Sequence, residues 1–129
     1  MKKNLFALGL AVTFCLSVAA VEVTEDTTVS LTADSGTSYE IADGVTLTIE
    51  VASGDTYELS GLITGAGSAK LRKTGLGTLA LSNANNSVPG GIFIDKGILC
   101  SSVAGALGSG PITIAQGQTL LLSLTFGFS

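Results

Sequence analysis

Gly90-Gly91-Ile92-Phe93-Ile94-Asp95-Lys96-Gly97 is followed twenty residues later by Gly110-Pro111-Ile112-Thr113-Ile114-Ala115-Gln116-Gly117. Five positions agree in kind at this one offset: Gly90 with Gly110, Ile92 with Ile112, Ile94 with Ile114, Lys96 with Gln116 as long polar side chains, and Gly97 with Gly117. Each closing glycine leads into a second β-prone run, Ile98-Leu99-Cys100-Ser101-Ser102 and then Thr119-Leu120-Leu121-Leu122-Ser123. A less regular copy spans Lys70 to Ser82. The unit is strand, glycine turn, strand, variable loop. With two or three short strands it cannot bury its own apolar face. Stacking successive units about 4.8 Å apart satisfies their backbones between units and lines Ile and Leu into a continuous interior. Ile92, Ile94, Leu99, Ile112, Ile114 and Leu120 are expected inside, and Gly75, Gly97 and Gly117 at corners that need positive φ.

Outward from this stretch the text is Thr, Ser, Gly and β-branched residues with almost no helical spacing. Val45-Thr46-Leu47-Thr48-Ile49-Glu50-Val51 alternates without a fault, which reads as a half-buried strand. Shorter alternating runs occur at Val29–Leu31, Tyr57–Leu59, Leu79–Leu81, Ile92–Ile94 and Ile112–Ile114, bounded by Gly, Asn, Asp or Ser. Residues 21–60 repeat less cleanly, and Glu22, Glu25 and Asp26 give their start the polar character of a cap on the first coil. The expected fold is all-β, a parallel β-helix (β-solenoid) of about five short coils, or about 24 Å of axis. A leucine-rich repeat shares the period but lacks its helix or Asn ladder here. The structural runner-up is a two-sheet sandwich, which predicts antiparallel pairing of neighbouring strands.

The chain opens with a separate signature. Lys2 and Lys3 form a positive region, residues 5–16 an apolar run of about a dozen, and Ser17-Val18-Ala19-Ala20 a small-residue cleavage site. This reads as a secretory signal peptide over residues 1–20, too short for the roughly 20 apolar residues of a membrane span. Phe14 before Cys15 is too bulky for a lipoprotein site. The organisation is therefore 1–20 signal peptide, 21–60 N-terminal strands or cap, and 61–129 repeat coils. Cleavage removes two of the six basic residues and none of the ten acids, leaving a net charge of -6 on 109 residues. Only Cys100 remains, so no intramolecular disulfide supports the exported chain; its apolar setting reads as a small buried hydrophobe.

Composition narrows the chemistry. The 129 residues include no histidine, which removes Ser-His and Cys-His nucleophile pairs and imidazole metal sites. The acidic balance excludes the positive surplus that nucleic acid or anionic lipid would require. Gly90-Gly91-Ile92-Phe93-Ile94-Asp95 superficially matches the calcium-binding nonapeptide, but Phe93 replaces a glycine and Ala115 stands where Asp95 should recur; Asp95 reads as a surface carboxylate beside Lys96. Gly65-Ala66-Gly67-Ser68-Ala69-Lys70 fits neither phosphate-binding pattern and reads as a turn. Glu25-Asp26, the adjacent acidic pair, faces opposite ways on a strand and makes no glycosidase couple. Lys70, Arg72 and Lys73 form a basic cluster, read as a solvated strand edge with a carbohydrate or anion contact as the alternative. Asn85-Asn86-Ser87 fits a glycosylation sequon, with little meaning if the cell is bacterial. No catalytic, cofactor-binding or metal-binding residue is assigned, and no cofactor is expected.

The stretch from Gly61 to Ser123 resembles the passenger-associated strand repeat of bacterial autotransporters. Gly61-Leu62-Ile63-Thr64-Gly65-Ala66-Gly67 is similar to the family's opening. Lys73-Thr74-Gly75-Leu76-Gly77-Thr78-Leu79-Ala80-Leu81-Ser82 is similar to its most recognisable phrase. Asn83-Ala84-Asn85-Asn86-Ser87 with Gly90-Gly91 resembles its Asn-rich loop and glycine pair, and Gly105-Ala106-Leu107-Gly108-Ser109-Gly110 a common linker. The resemblance implies a right-handed parallel β-helix (β-solenoid), a passenger shown on the surface, or outside, of a Gram-negative cell, a non-enzymatic module for display or adhesion. Members carry a C-terminal outer-membrane barrel of at least eight strands. The alternating tail Leu120–Phe128 supplies one strand at most, so a fragment, a truncated reading frame or a short secreted relative is expected. The partners implied are a host or cell-surface glycan or protein, a missing barrel or further coils stacked on the C-terminal end, and self-association. Two functional alternatives stand beside this: a small secreted carbohydrate-binding β-sandwich, and a β-helical polysaccharide-active enzyme, which needs carboxylates converging on one flank.

Overall fold

The computed structural model describes residues 20–103 and 105–122. Among these residues twelve strands follow one another: β1 Val21–Val23, β2 Thr27–Leu31, β3 Tyr39–Ile41, β4 Thr46–Val51, β5 Thr56–Leu59, β6 Ile63–Gly65, β7 Lys70–Thr74, β8 Thr78–Leu81, β9 Ile92–Ile94, β10 Ile98–Ser101, β11 Ile112–Ile114 and β12 Thr119–Leu122. Among the described residues every strand pairing is parallel. The signal-peptide reading of residues 1–20 falls almost wholly outside the described residues, as does the tail beyond Leu122.

The strands build three sheets along one axis. The first face has the order β2-β4-β7-β9-β11, the second β5-β8-β10-β12 and the third β1-β3-β6. The chain visits them in rotation, so each circuit is one coil and each sheet grows by one strand per circuit. Isolated parallel bridges, Ser35 to Leu59 and Thr64 to Ser87, extend the second and third faces by one position each. On the first face Thr27, Leu47, Leu71, Ile92 and Ile112 succeed one another in register, steps of 20, 24, 21 and 20 residues. The protein is an all-β parallel solenoid of about five turns. Ile94 pairs with Ile114 in the same sense, which overturns the sandwich and with it the secreted β-sandwich alternative: neighbours in sequence lie on different faces and never form hairpins.

Period-two alternation then decides what is buried. In β4 Leu47, Ile49 and Val51 point inward and are fully buried, while Glu50 is exposed. Repeating that choice coil after coil stacks Leu59 on Leu81 and Leu79 on Leu99 across the second face. Tyr39, Ile41 and Ile63 close the third. Each buried Leu or Ile contributes on the order of 1.5–3 kcal/mol. Ile92, Ile94 and Leu99 are buried, as the repeat requires. Ile112 and Leu120 are half-buried and Ile114 is 44% exposed. They hold inward positions, but in the last described coil, where no further described coil covers them.

Corners are closed in two ways. Gly75, Gly97 and Gly117 all take positive φ, at 79°, 80° and 83°. Elsewhere a side-chain oxygen on one coil accepts a backbone N–H from the next. Asp26 Oδ1 accepts from Thr46 N at 2.9 Å, Asp34 Oδ1 from Glu58 N at 2.9 Å, and Ser38 Oγ from Leu62 N at 3.0 Å. These bonds satisfy amides that the interrupted ladders leave over. Val21–Leu31 is itself in register with the second coil, so Glu22, Glu25 and Asp26 belong to a paired coil and Asp26 stitches it to its neighbour.

Candidate functional site

The expected basic cluster divides at β7. Alternation turns Lys70, Arg72 and Thr74 outward and Leu71 and Lys73 inward. Moreover, β7 is the central strand of the first face, paired with β4 on one side and β9 on the other, so it is not an edge that blocks association. Lys73 is completely buried in a column that otherwise reads Val29, Ile49, Ile94, Ile114. Its Nζ donates to the carbonyls of Thr74 at 2.7 Å, Gly75 at 2.8 Å and Lys96 at 3.0 Å, which uses all three ammonium protons. Burial pushes its pKa down to about 8, against an opposing pull from the Glu50 carboxylate. Lys73 therefore clamps the corner leaving the first face to the corner one coil further on.

On the outer side of the same sheet Thr28, Thr48, Arg72, Phe93 and Thr113 form one column, each in register with the next. The Arg72 guanidinium lies over the Phe93 ring, 5.6 Å from its centroid. Arg72 Nε is 3.0 Å from Asp95 Oδ2, an ion pair without the directed N–H of a hydrogen bond; each side chain is 42% exposed. Asp95 was expected beside Lys96, but it pairs with Arg72. The Asp95 N–H donates to the Lys73 carbonyl at 2.9 Å, which brings this residue next to the end of β7.

Stacking converts the order of charges in the sequence into an order along the axis. After residue 20 every cation, Lys70, Arg72, Lys73 and Lys96, lies between residues 70 and 96. Nine of the ten acids precede residue 60, and no charged residue follows Lys96. The molecule is thus acidic over its first coils, basic over a narrow band, and uncharged beyond it.

The remaining candidates have structural places. Cys100 is not a core residue: it faces outward on β10, half-buried between Ala80 and Leu121 of the adjoining strands, with a free thiol. Gly67 of the glycine-rich stretch sits at a turn whose neighbour Ser68 donates its N–H (2.8 Å) and hydroxyl (3.2 Å) to Asp43 Oδ1; these bonds hold the Asp43 carboxyl below its ordinary value. Asn86 of the Asn-rich loop is buried and bridges three coils, accepting from Ile63 N and donating to the Ala106 carbonyl, both at 2.9 Å. On the third face Glu22 and Glu40 are register neighbours lining an open groove of about 270 Å³ with Val23, Ile41 and Ala66. Among the described residues no three His, Cys, Asp or Glu side chains converge as a metal site.

Sequence reasoning missed Lys73 and Asn86. Strand parity held the first signal, since Lys73 is two residues from Leu71 and in step with it. Asn86 stands at even spacing from Val88, a buried apolar residue, but no strand runs through the loop to make that spacing binding. No family model, curated protein or solved structure matches the chain.

Proposed function

We propose that this is a non-enzymatic β-helical module exported from a Gram-negative cell and displayed at its surface, as an autotransporter-type passenger segment serving display or adhesion. The observation that carries the reading is the parallel stacking of coils at a step of about twenty residues, which sets outward side chains in straight columns on flat faces. Such faces offer a repetitive contact surface. The phrases from Gly61 to Ser123 and the signal-peptide pattern at the N-terminus support the same reading. The test is to express the full chain in Gram-negative cells, treat intact cells with a proteinase that cannot cross the outer membrane, and sequence the N-terminus of the product. Export predicts a new N-terminus near Val21 and proteinase-sensitive or secreted protein. Retention in the cytoplasm with Met1 in place overturns it.

A second reading, a polysaccharide-active enzyme, has one observation in its favour, the Glu22 and Glu40 pair beside the third-face groove. Release of reducing ends from a polysaccharide panel, abolished by Glu40→Gln, would support it; no release from any member rejects it.

A further inference from the structure

Phe93 is the one aromatic among the described residues that stands on the outer side of a strand; Tyr39 and Tyr57 hold inward positions. It lies within the only basic band of the exported chain, with Arg72 over its ring, Lys70 further along the same strand as Arg72, and Lys96 exposed at the corner just after Asp95. Thr48 and Thr113 continue its column on either side of Arg72 and Phe93 with hydroxyl groups. We infer that this outer face is a binding surface for an acidic polysaccharide, a chain of sugar rings bearing carboxylates.

Three features select this occupant. An aromatic ring flanked by polar side chains stacks against the C–H face of a pyranose, while a flat sheet accepts an extended chain without a cleft. Arg72, Lys70 and Lys96 supply charge opposite to a uronate, and Arg72 can exchange the Asp95 carboxylate, itself 42% exposed and held by a single ion-pair contact, for a ligand carboxylate. The coil rise of about 4.8 Å is close to the length that one pyranose adds to a chain, so consecutive rings meet consecutive rungs, from Thr48 through Arg72 and Phe93 to Thr113. Acidic coils on one side and uncharged coils on the other restrict the contact to this band.

The inference rests on the display reading for its biological setting, but its test does not. Binding of the purified full chain to polygalacturonate is measured by calorimetry, with neutral dextran as the control. Polygalacturonate is expected to bind, dextran not to, and raising NaCl from about 50 to 500 mM to weaken binding at least about tenfold, as screening of exposed charges requires. Phe93→Ala, and separately Arg72→Gln with Lys70→Gln, should each weaken binding about tenfold, whereas Glu25→Gln, exposed in the first coil, should leave it unchanged. Circular dichroism melts confirm that each variant folds, and Lys96→Gln, at an exposed position, provides a variant outside the packed core. No binding at millimolar sugar, equal binding of dextran, or binding indifferent to Phe93, Arg72 and Lys96 overturns the inference. An acidic protein or second copy as the true occupant would show as association that polygalacturonate does not displace, and also overturns it. Failure of export in cells would leave these titrations as they are, so the two readings fail separately.

Discussion

Lys73 and Ile94 occupy the same inward rung on successive coils, so an ammonium group stands where its neighbours in the column carry methyl groups. The folded state stabilises this arrangement with three carbonyl acceptors but still disfavours the charge, as the pKa near 8 against an ordinary 10.5 records. A lysine whose folded pKa is depressed binds fewer protons folded than unfolded between those two values, so stability rises with pH across that window.

The first prediction is that unfolding free energy, from urea melts, increases by about 2 kcal/mol between pH 7 and pH 10. Above pH 10 the gain should reverse, because burial raises the pKa of Tyr39, and burial and Asp55 raise that of Tyr57. Stability from a raised tyrosine is present below its unfolded value and is lost as pH climbs through the folded one. Lys73→Met should remove the alkaline gain and cost about 1–3 kcal/mol at pH 7, since three carbonyls lose their donor. A Lys73→Met profile that still rises from pH 8 to 10 would assign the effect elsewhere.

The second prediction contrasts two corners of identical sequence role. Gly97 and Gly117 share a positive φ, but a Cβ at Gly97 would overlap the Gly75 and Gly77 carbonyl oxygens and approach Lys73 Nζ to 2.7 Å, while at Gly117 it meets nothing within 4 Å. Gly117→Ala should therefore cost about 1–2 kcal/mol, the left-handed penalty alone. Gly97→Ala should cost more than about 3 kcal/mol or prevent folding. Equal losses in thermal melts would contradict the packing at the Lys73 corner.

Asn86 gives the third. Asn86→Ala removes two buried hydrogen bonds and leaves the Ile63 N–H and the Ala106 carbonyl unpaired, at a cost of about 2–4 kcal/mol. Amide exchange should quicken at Ile63 before it does at Leu79 on the second face. Asn85→Ala, at an exposed position next door, should change stability by less than about 0.5 kcal/mol.

The fourth concerns acid. The Asp43 carboxyl, held below its ordinary 3.8 by the Ser68 N–H and hydroxyl, contributes stability above that value and loses it as pH falls through the folded pKa. The Ser68 amide resonance should report the titration by NMR with a midpoint below 3.8, and Asp43→Asn should abolish the shift.

The repeat from Gly90 to Gly117 pointed to parallel stacking, because two isoleucines and two glycines recur at one offset, but the sandwich stayed open and the parallel register of Ile94 with Ile114 decides against it. Corners at Gly75, Gly97 and Gly117 followed from the same spacing. Lys73 was hidden because a run of Lys70, Arg72 and Lys73 looks like surface when charge is read without parity; the alternation that buried Leu71 applied equally two residues on. The Arg72–Phe93–Asp95 grouping was out of reach for a different reason. Its members come from adjacent coils, and the step between Leu71 and Ile92 is 21 residues, not the 20 of the clear repeat. One residue of slippage places Arg72 beside Phe93, and only an observed register shows it. Cys100 was misplaced by its apolar neighbours: Leu99 points into the core, whereas Ile98 shares the outer side of the strand with Cys100.

Pairing that runs only between successive circuits makes length an independently adjustable trait. Excision of residues 92–111 would bring Ile112 against Leu71 and Ile114 against Lys73, and the carbonyl of Gln116 would take the place of that of Lys96 at the ammonium group. The seam would join like rung to like rung, so unequal recombination between such units can lengthen or shorten the rod while each surviving surface keeps its chemistry.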